Sequence, residues 1–201
     1  MSAAPDAPPD DAEGSGARAA PTASGSVAVL LAVDAGDESL RRYKASLLGA
    51  AAGSASAAPG ARVTVHCLRL QVAGRPPIEL ACGDAAARAA LAAAPPLVVA
   101  EGAEYAPSLL FTVEGSDVVL GLVLRTVISN GLGIPLERQR HMLGSYPPDG
   151  ARVEAELPRA AWPAGMLARG TYYARSTVSD DDGNTHLDVA WRFTIAKQWP
   201  A

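Results

Sequence analysis

The stretch YYARSTVSDDDGNTHLDVAWRFTIAKQW, residues 172–199, decides the fold class. Both of its halves are rich in β-branched and aromatic residues, and the polar run Asp180-Asp181-Asp182-Gly183-Asn184 between them has the residue types of a hairpin turn. In the second half Val189, Trp191, Phe193 and Ile195 alternate with Ala190, Arg192, Thr194 and Ala196. The two-residue period of a pleated strand therefore turns the first set inward and the second outward.

The same texture extends back to residue 61. VTVHCLRLQV (63–72), PPIELAC (76–82), PLVVAEG (96–102), SLLFTVEGSDVVLGLVLRTVI (108–128) and ARVEAEL (151–157) are strand-like runs separated by Gly, Pro, Asn and Asp. Glu114-Gly115-Ser116-Asp117 reads as a second hairpin turn. Some seven short strands, with no long amphipathic helix between them, predict an all-β, immunoglobulin-like antiparallel β-sandwich over residues 61–201.

The first 60 residues differ. Residues 1–25 have no Leu, Ile, Val or aromatic side chain, too little apolar surface to offset the entropy of ordering, and predict a disordered tail. AAAGSASAAPG at 50–60 reads as a flexible linker. Between them, residues 26–49 form an arm with one short helical segment, DAGDESLRRYKASLLG at 34–49. Asp34 or Asp37 supplies its N-cap and Gly49 its stop, and Leu40, Tyr43, Leu47 and Leu48 fall on one stripe. A short helix flanked by such sequence needs a partner for that stripe, either its own domain or another protein.

Composition narrows the function. The net charge of -4, with two lysines (Lys44 and Lys197) and no arginine cluster, argues against nucleic acid. Val27 to Val33 is far shorter than the ~20 residues of a membrane-spanning helix and lacks a signal peptide's basic flank, so the expectation is a cytoplasmic protein without stable membrane insertion. Cys67 and Cys82 read as two reduced, buried thiols. Neighbours on a strand point to opposite faces, so His66 and Cys67 do not form a metal site with Cys82, and no metal or cofactor is expected. The Asp180 turn is no calcium loop, because glycine is not its sixth residue and Trp191 stands where the bidentate Glu belongs. His141 and His186 read as single surface or turn histidines, and no nucleophile elbow, phosphate loop or zinc-protease motif occurs. No catalytic residue is expected.

Gly165-Met166-Leu167-Ala168-Arg169-Gly170-Thr171-Tyr172, Asp180-Asp181-Asp182, His186-Leu187 and the closing Trp191, Thr194, Ile195, Lys197 and Trp199 resemble the Rho GDP-dissociation inhibitor family. GDESLRRYKASLLG (36–49), Gly83-Asp84-Ala85, Glu101 to Tyr105 and Gly144-Ser145-Tyr146 resemble it in the same order. The resemblance implies a protein without enzymatic activity, a monomer that forms a 1:1 complex with the GDP form of a prenylated Rho, Rac or Cdc42-type small GTPase. In that family the arm lies on the GTPase switch regions and blocks nucleotide release, and the sandwich receives the geranylgeranyl lipid between its sheets. Carried over, Asp37 and Tyr43 match switch contacts, Leu48 lies where the arm meets the lipid entrance, and the stripe that also holds Leu40 and Leu47 becomes a partner-contact face. Leu68, Leu70, Tyr105, Leu109, Phe111, Val118, Leu167, Ala174 and Trp191 match the prenyl pocket wall.

The chain also departs from the family. SVAVLLAVD (26–34) replaces a more polar first arm helix, PRAAWPAG (158–165) lacks an acidic pair, and residues 122–141 follow the pattern poorly. From the residues alone, the inward row Val189, Trp191, Phe193, Ile195 is more often plain core than cavity wall, by roughly three to one on burial habits. Two rival readings are a general prenyl or acyl chaperone of similar fold without switch control, and an immunoglobulin-type adhesion domain. The arm motif disfavours the first, and the missing inter-sheet cysteine pair disfavours the second.

Overall fold

A computed structural model describes Glu38, Ser39, Arg42 and residues 60–200. The predicted tail, the rest of the arm and the linker up to residue 59 lie outside the described residues, and with them Asp37, Leu40, Tyr43, Leu47 and Leu48. The three described arm residues are helical, with Arg42 Nη2 donating to Glu38 Oε1 at 3.3 Å across one turn.

Among the described residues ten strands form two sheets. The first contains β1 (Ala61–Val72), β2 (Ile78–Ala81), β4 (Glu104–Gly115), β7 (Arg152–Glu156) and the short β8 (Ala160–Ala161), in the order β2-β1-β4-β7, with β8 pairing β4. The second contains β3 (Leu97–Ala100), β5 (Val119–Ser129), β6 (Pro135–Tyr146), β9 (Gly170–Ser179) and β10 (Thr185–Ala196), in the order β3-β10-β9-β5-β6. This is the expected β-sandwich. One pairing departs from the antiparallel rule, since β3 lies parallel to β10. Helix α1 (Ala85–Ala93), which the strand-dominated reading passed over, is capped by Asp84, whose carboxylate accepts from the Ala87 amide at 2.7 Å.

The last two strands behave as their alternation predicts. β9 and β10 form a hairpin, and Leu187, Val189, Trp191, Phe193 and Ile195 are buried in sequence. The turn between them closes on itself, since Asp180 accepts from the Asn184 amide at 2.9 Å and from its side chain at 3.0 Å. The 114–117 connection, by contrast, is not a hairpin. β4 pairs with β1 and β5 pairs with β9 and β6, so this segment carries the chain from one sheet to the other. Its polar groups bond back to the start of β1: the Ser116 amide donates to the Gly60 carbonyl at 3.1 Å, and the Gly60 amide donates to Ser116 Oγ at 3.2 Å. Gly115 makes the crossing with φ +113°, where an added Cβ would run into the Gly60 carbonyl. A tight turn fixes a reversal of direction, and it leaves open which strand each arm pairs with.

β1 changes phase within its length. Its register against β4 shifts between Val65 and Cys67, so His66 is an extra residue in the ladder. Before the bulge Val63 and Val65 are buried in the core, and after it Leu68, Leu70 and Val72 are. The bulge thereby aims Leu68 and Leu70 between the sheets. Cys67 and Cys82 are free and buried, and burial pushes the Cys82 thiol up to about 11.

One end of the sandwich is filled. Phe111 and Leu109 on β4 and Leu122 on β5 have no exposed surface, and Phe111 meets Tyr146 edge-on at 4.9 Å between ring centres. Truncation there leaves a void that the facing strands cannot close. Phe111→Ala is expected to lower unfolding stability by about 3–5 kcal/mol, read as a shifted urea midpoint with unchanged slope.

Candidate functional site

The other end of the sandwich is hollow. A cavity of about 730 Å³ lies between the sheets, within the size range of small-molecule sites. Sheet one contributes Leu68, Leu70, Tyr105 and Pro107, and sheet two contributes Leu124, Thr126, Ile128, Trp191, Phe193 and Ile195. The division runs along each strand: Tyr105 and Pro107 of β4 reach the cavity while Leu109 and Phe111 do not, and Leu124, Thr126 and Ile128 of β5 reach it while Leu122 does not.

The outer side wall is β6, the free edge of sheet two. Glu137, Gln139 and His141 sit directly opposite Ile128, Thr126 and Leu124 in the β5–β6 register, so they share the inward face and line the cavity. Leu136 beside them lines it too, although more than half exposed. The wall is thus mainly apolar, with Glu137, Gln139 and His141 along β6, and Thr126 and Arg159 elsewhere, among its polar residues.

Aromatic rings brace this end. Tyr105 stacks on Trp162 at 4.1 Å, Trp162 meets Trp199 edge-on at 6.0 Å, and Tyr172 stacks on Phe193 at 5.3 Å. Burial, with a smaller push from Glu137, raises the Tyr105 phenol above its ordinary value. A buried polar chain crosses the middle of sheet two: Trp191 Nε1 donates to Ser176 Oγ at 3.2 Å, and the Ser176 and Thr126 hydroxyls share a bond of 3.0 Å. This chain fixes the Trp191 ring, whose face forms part of the wall.

The remaining wall is irregular chain apart from the two-residue strand β8. Residues 157–164 and the 3-10 turn Met166–Ala168 run past the opening, with Leu167 and Ala168 among the lining residues. This segment is tied down by Glu101, which follows β3. Its Oε2 accepts from the Gly165 amide at 3.0 Å and from Arg169 Nε at 2.9 Å, while Oε1 accepts from Arg169 Nη2 at 2.8 Å. The Arg169 bonds, helped by the Gly165 amide and opposed by burial, hold the Glu101 carboxyl below its ordinary range.

Of the residues expected from sequence to form a pocket, Leu68, Leu70, Tyr105, Leu167 and Trp191 line this cavity. Leu109, Phe111, Val118 and Ala174 are buried but lie outside its lining, and Leu109, Phe111 and Ala174 belong to the packed core. Sequence reading missed Leu124, Thr126, Ile128, Phe193 and Ile195 as lining residues, as well as the whole β6 face. The alternation of β10 marked Phe193 and Ile195 as inward, and only the end of the sandwich they occupy was missing. His141 is no plain surface histidine, since it lines the cavity. His186 is half-buried at the Asp180 turn, its Nε2 2.8 Å from the Asp180 carboxylate. Burial opposes the charge on Asp180, and the bonds from Asn184 and His186 outweigh it, holding the carboxyl below its ordinary value.

Comparison with known proteins decides the family. The sequence model described as RHO protein GDP dissociation inhibitor matches residues 6–198. The chain belongs to the Rho GDP-dissociation inhibitor family. Among the relatives, Rho GDP-dissociation inhibitor 1 of Bos taurus is 35% identical over 184 residues, covering 89% of this chain and 85% of its own. The Homo sapiens protein of the same name matches with the same identity and coverage. Rho GDP-dissociation inhibitor 1 of Arabidopsis thaliana is 30% identical over 169 residues, covering 84% of this chain and 68% of its own. Family membership thus places the cavity in an inhibitor fold rather than in an adhesion domain.

The buried chain behind Trp191 yields an ordered expectation. Ser176→Ala strands the indole N–H without an acceptor, whereas Thr126→Val leaves the Ser176 acceptor in place. Chemical denaturation should therefore show a loss of about 1–3 kcal/mol for Ser176→Ala and a smaller loss for Thr126→Val.

Proposed function

We propose that this protein binds a prenylated Rho-family small GTPase in its GDP form, slows release of the nucleotide, and carries the GTPase off the membrane by taking its geranylgeranyl group into the cavity. The observation that carries this reading is a mainly apolar cavity of about 730 Å³ in a chain of the Rho GDP-dissociation inhibitor family. Withdrawing a prenyl chain from a bilayer costs about 0.8 kcal/mol per carbon, on the order of 10 kcal/mol in all. An exposed apolar patch recovers too little of that, and an enclosed cavity at about 25 cal/mol per Å² recovers enough. The action is binding, with no bond made or broken.

The arm supplies the other half of the reading. Asp37, Leu40, Tyr43, Leu47 and Leu48 form its partner-contact face against the GTPase switches, and the Ala-, Gly- and Ser-rich 50–60 stretch, whose composition is that of a linker, tethers that contact to the cavity. Two tethered contacts gain from effective concentration, so neither alone needs to be tight. Among the described residues no helix is long and apolar enough to cross a membrane. The complex is read as one inhibitor to one GTPase.

The direct test mixes the full chain with vesicles bearing prenylated, GDP-loaded Rho-type GTPase and asks what stays in the supernatant after sedimentation. Transfer of the GTPase to the supernatant is expected, and its retention on the vesicles at saturating protein would refute the reading. Trp191→Asp places an unpaired charge in the cavity wall and should abolish transfer, provided circular dichroism shows the variant folded.

Arm and cavity separate in a second experiment. With Asp37→Ala and Tyr43→Ala together, the protein should no longer slow GDP release, yet it should still bind a fluorescent geranylgeranylated peptide. Undiminished inhibition by the double variant would reduce the arm to a passive tether.

A further inference from the structure

The turn at the cavity mouth is held in an unusual way. Met166–Ala168 has no buried residue, and Met166 is 80% and Leu167 102% exposed, yet Leu167 and Ala168 line the cavity. Apolar packing against the rest of the chain therefore does not fix the turn. Polar bonds do. Outside the turn's own hydrogen bonds, the described hydrogen bonds of Gly165–Arg169 are to the Glu101 carboxylate, from both the Gly165 amide and the Arg169 guanidinium, and from the Tyr172 hydroxyl, which donates to the Ala168 carbonyl at 2.7 Å.

Glu101 is itself well placed to act as an anchor. Its amide donates to the Ala196 carbonyl at the end of β10 at 2.8 Å, and the next amide, Gly102, donates to the Trp162 carbonyl at 3.0 Å. The carboxylate thus extends from the rim of sheet two and grips the turn with both oxygens. The Glu101 side chain is only 17% exposed and that of Arg169 33%, so the fork is partly shielded from solvent while still reachable by salt.

We propose that the Glu101–Arg169 fork is a latch: it positions the Met166–Ala168 turn across the cavity mouth and sets how long a bound lipid chain stays inside. The proposal rests on the lipid-carrier reading above. With the fork closed, Leu167 stands at the opening, where an entering chain covers it and adds packing that the rest of the chain does not supply. With the fork open, the turn keeps only the Tyr172 bond, and one wall of the cavity is free to move aside. Glu101 and Arg169 are positioning residues here. Neither is among the cavity-lining residues, and they act through Leu167 and Ala168.

The test uses the full chain and a fluorescent geranylgeranylated cysteine peptide, with dissociation followed by stopped flow after addition of excess unlabelled peptide. Glu101→Gln and Arg169→Gln should each speed dissociation roughly five- to tenfold, the size expected for losing a charge-assisted hydrogen-bond pair that is partly exposed. The double variant should be no faster than either single one, because both remove the same fork. Arg169→Lys, which keeps the charge and loses the two-pronged geometry, should fall between. Raising salt should speed dissociation from the wild type and leave Glu101→Gln unchanged. A fork that only supports the fold would lower the melting temperature and leave the dissociation rate and its salt dependence unmoved well below melting, which would overturn the latch. A wild-type protein that fails to bind the peptide at all would instead overturn the lipid-carrier reading. Binding with the same rate in every variant would overturn the latch alone.

Discussion

The structure depends on how the two sheets are spaced by the side chains between them. At one end Phe111, Leu109, Leu122 and Val178, none of them exposed, fill the gap and hold the sheets together. At the other end the inward residues of the same strands meet across open space. A fully packed core would gain more from burial, so the hollow end lowers stability relative to a filled sandwich. The filled end, with Phe111 against Tyr146, is what allows the hollow end to persist without collapse.

Several local features direct side chains into that hollow. The β1 bulge at His66 re-phases the strand so that Leu68 and Leu70 face inward. The Trp191, Ser176 and Thr126 bonds hold the indole in one orientation, and the stacked pairs Tyr105–Trp162 and Tyr172–Phe193 stiffen the surrounding wall. These supports lie beyond the lining itself. They convert a gap between sheets into a shaped cavity.

The open side obeys different physics. Free-edge strand β6 and the 157–170 segment enclose the cavity with polar side chains, exposed apolar tips and a salt-bridged turn rather than with packed core. Such regions sit at the low end of local stability, where opening costs least. On the proposed reading, in which the cavity takes up and releases a prenyl chain, one wall of this kind is needed, and the sandwich provides it at the edge of sheet two.

The sequence by itself determined the sandwich, the β9–β10 hairpin and the inward row Val189, Trp191, Phe193, Ile195, because alternation and turn composition are local signals read within one strand. It also carried the family, through GMLARGTY and the closing Trp191 to Trp199 block. It did not reveal that the 114–117 turn crosses between sheets, that β3 runs parallel to β10, or that polar β6 is a strand at all, since pairing partners are chosen by contacts distant in the chain. The same reason separated Leu68 and Trp191, which line the cavity, from Leu109, Phe111 and Ala174, which are packed core. Alternation tells a residue which face it occupies. Only the tertiary structure, by setting what stands opposite, decides whether that face meets another side chain or an empty space.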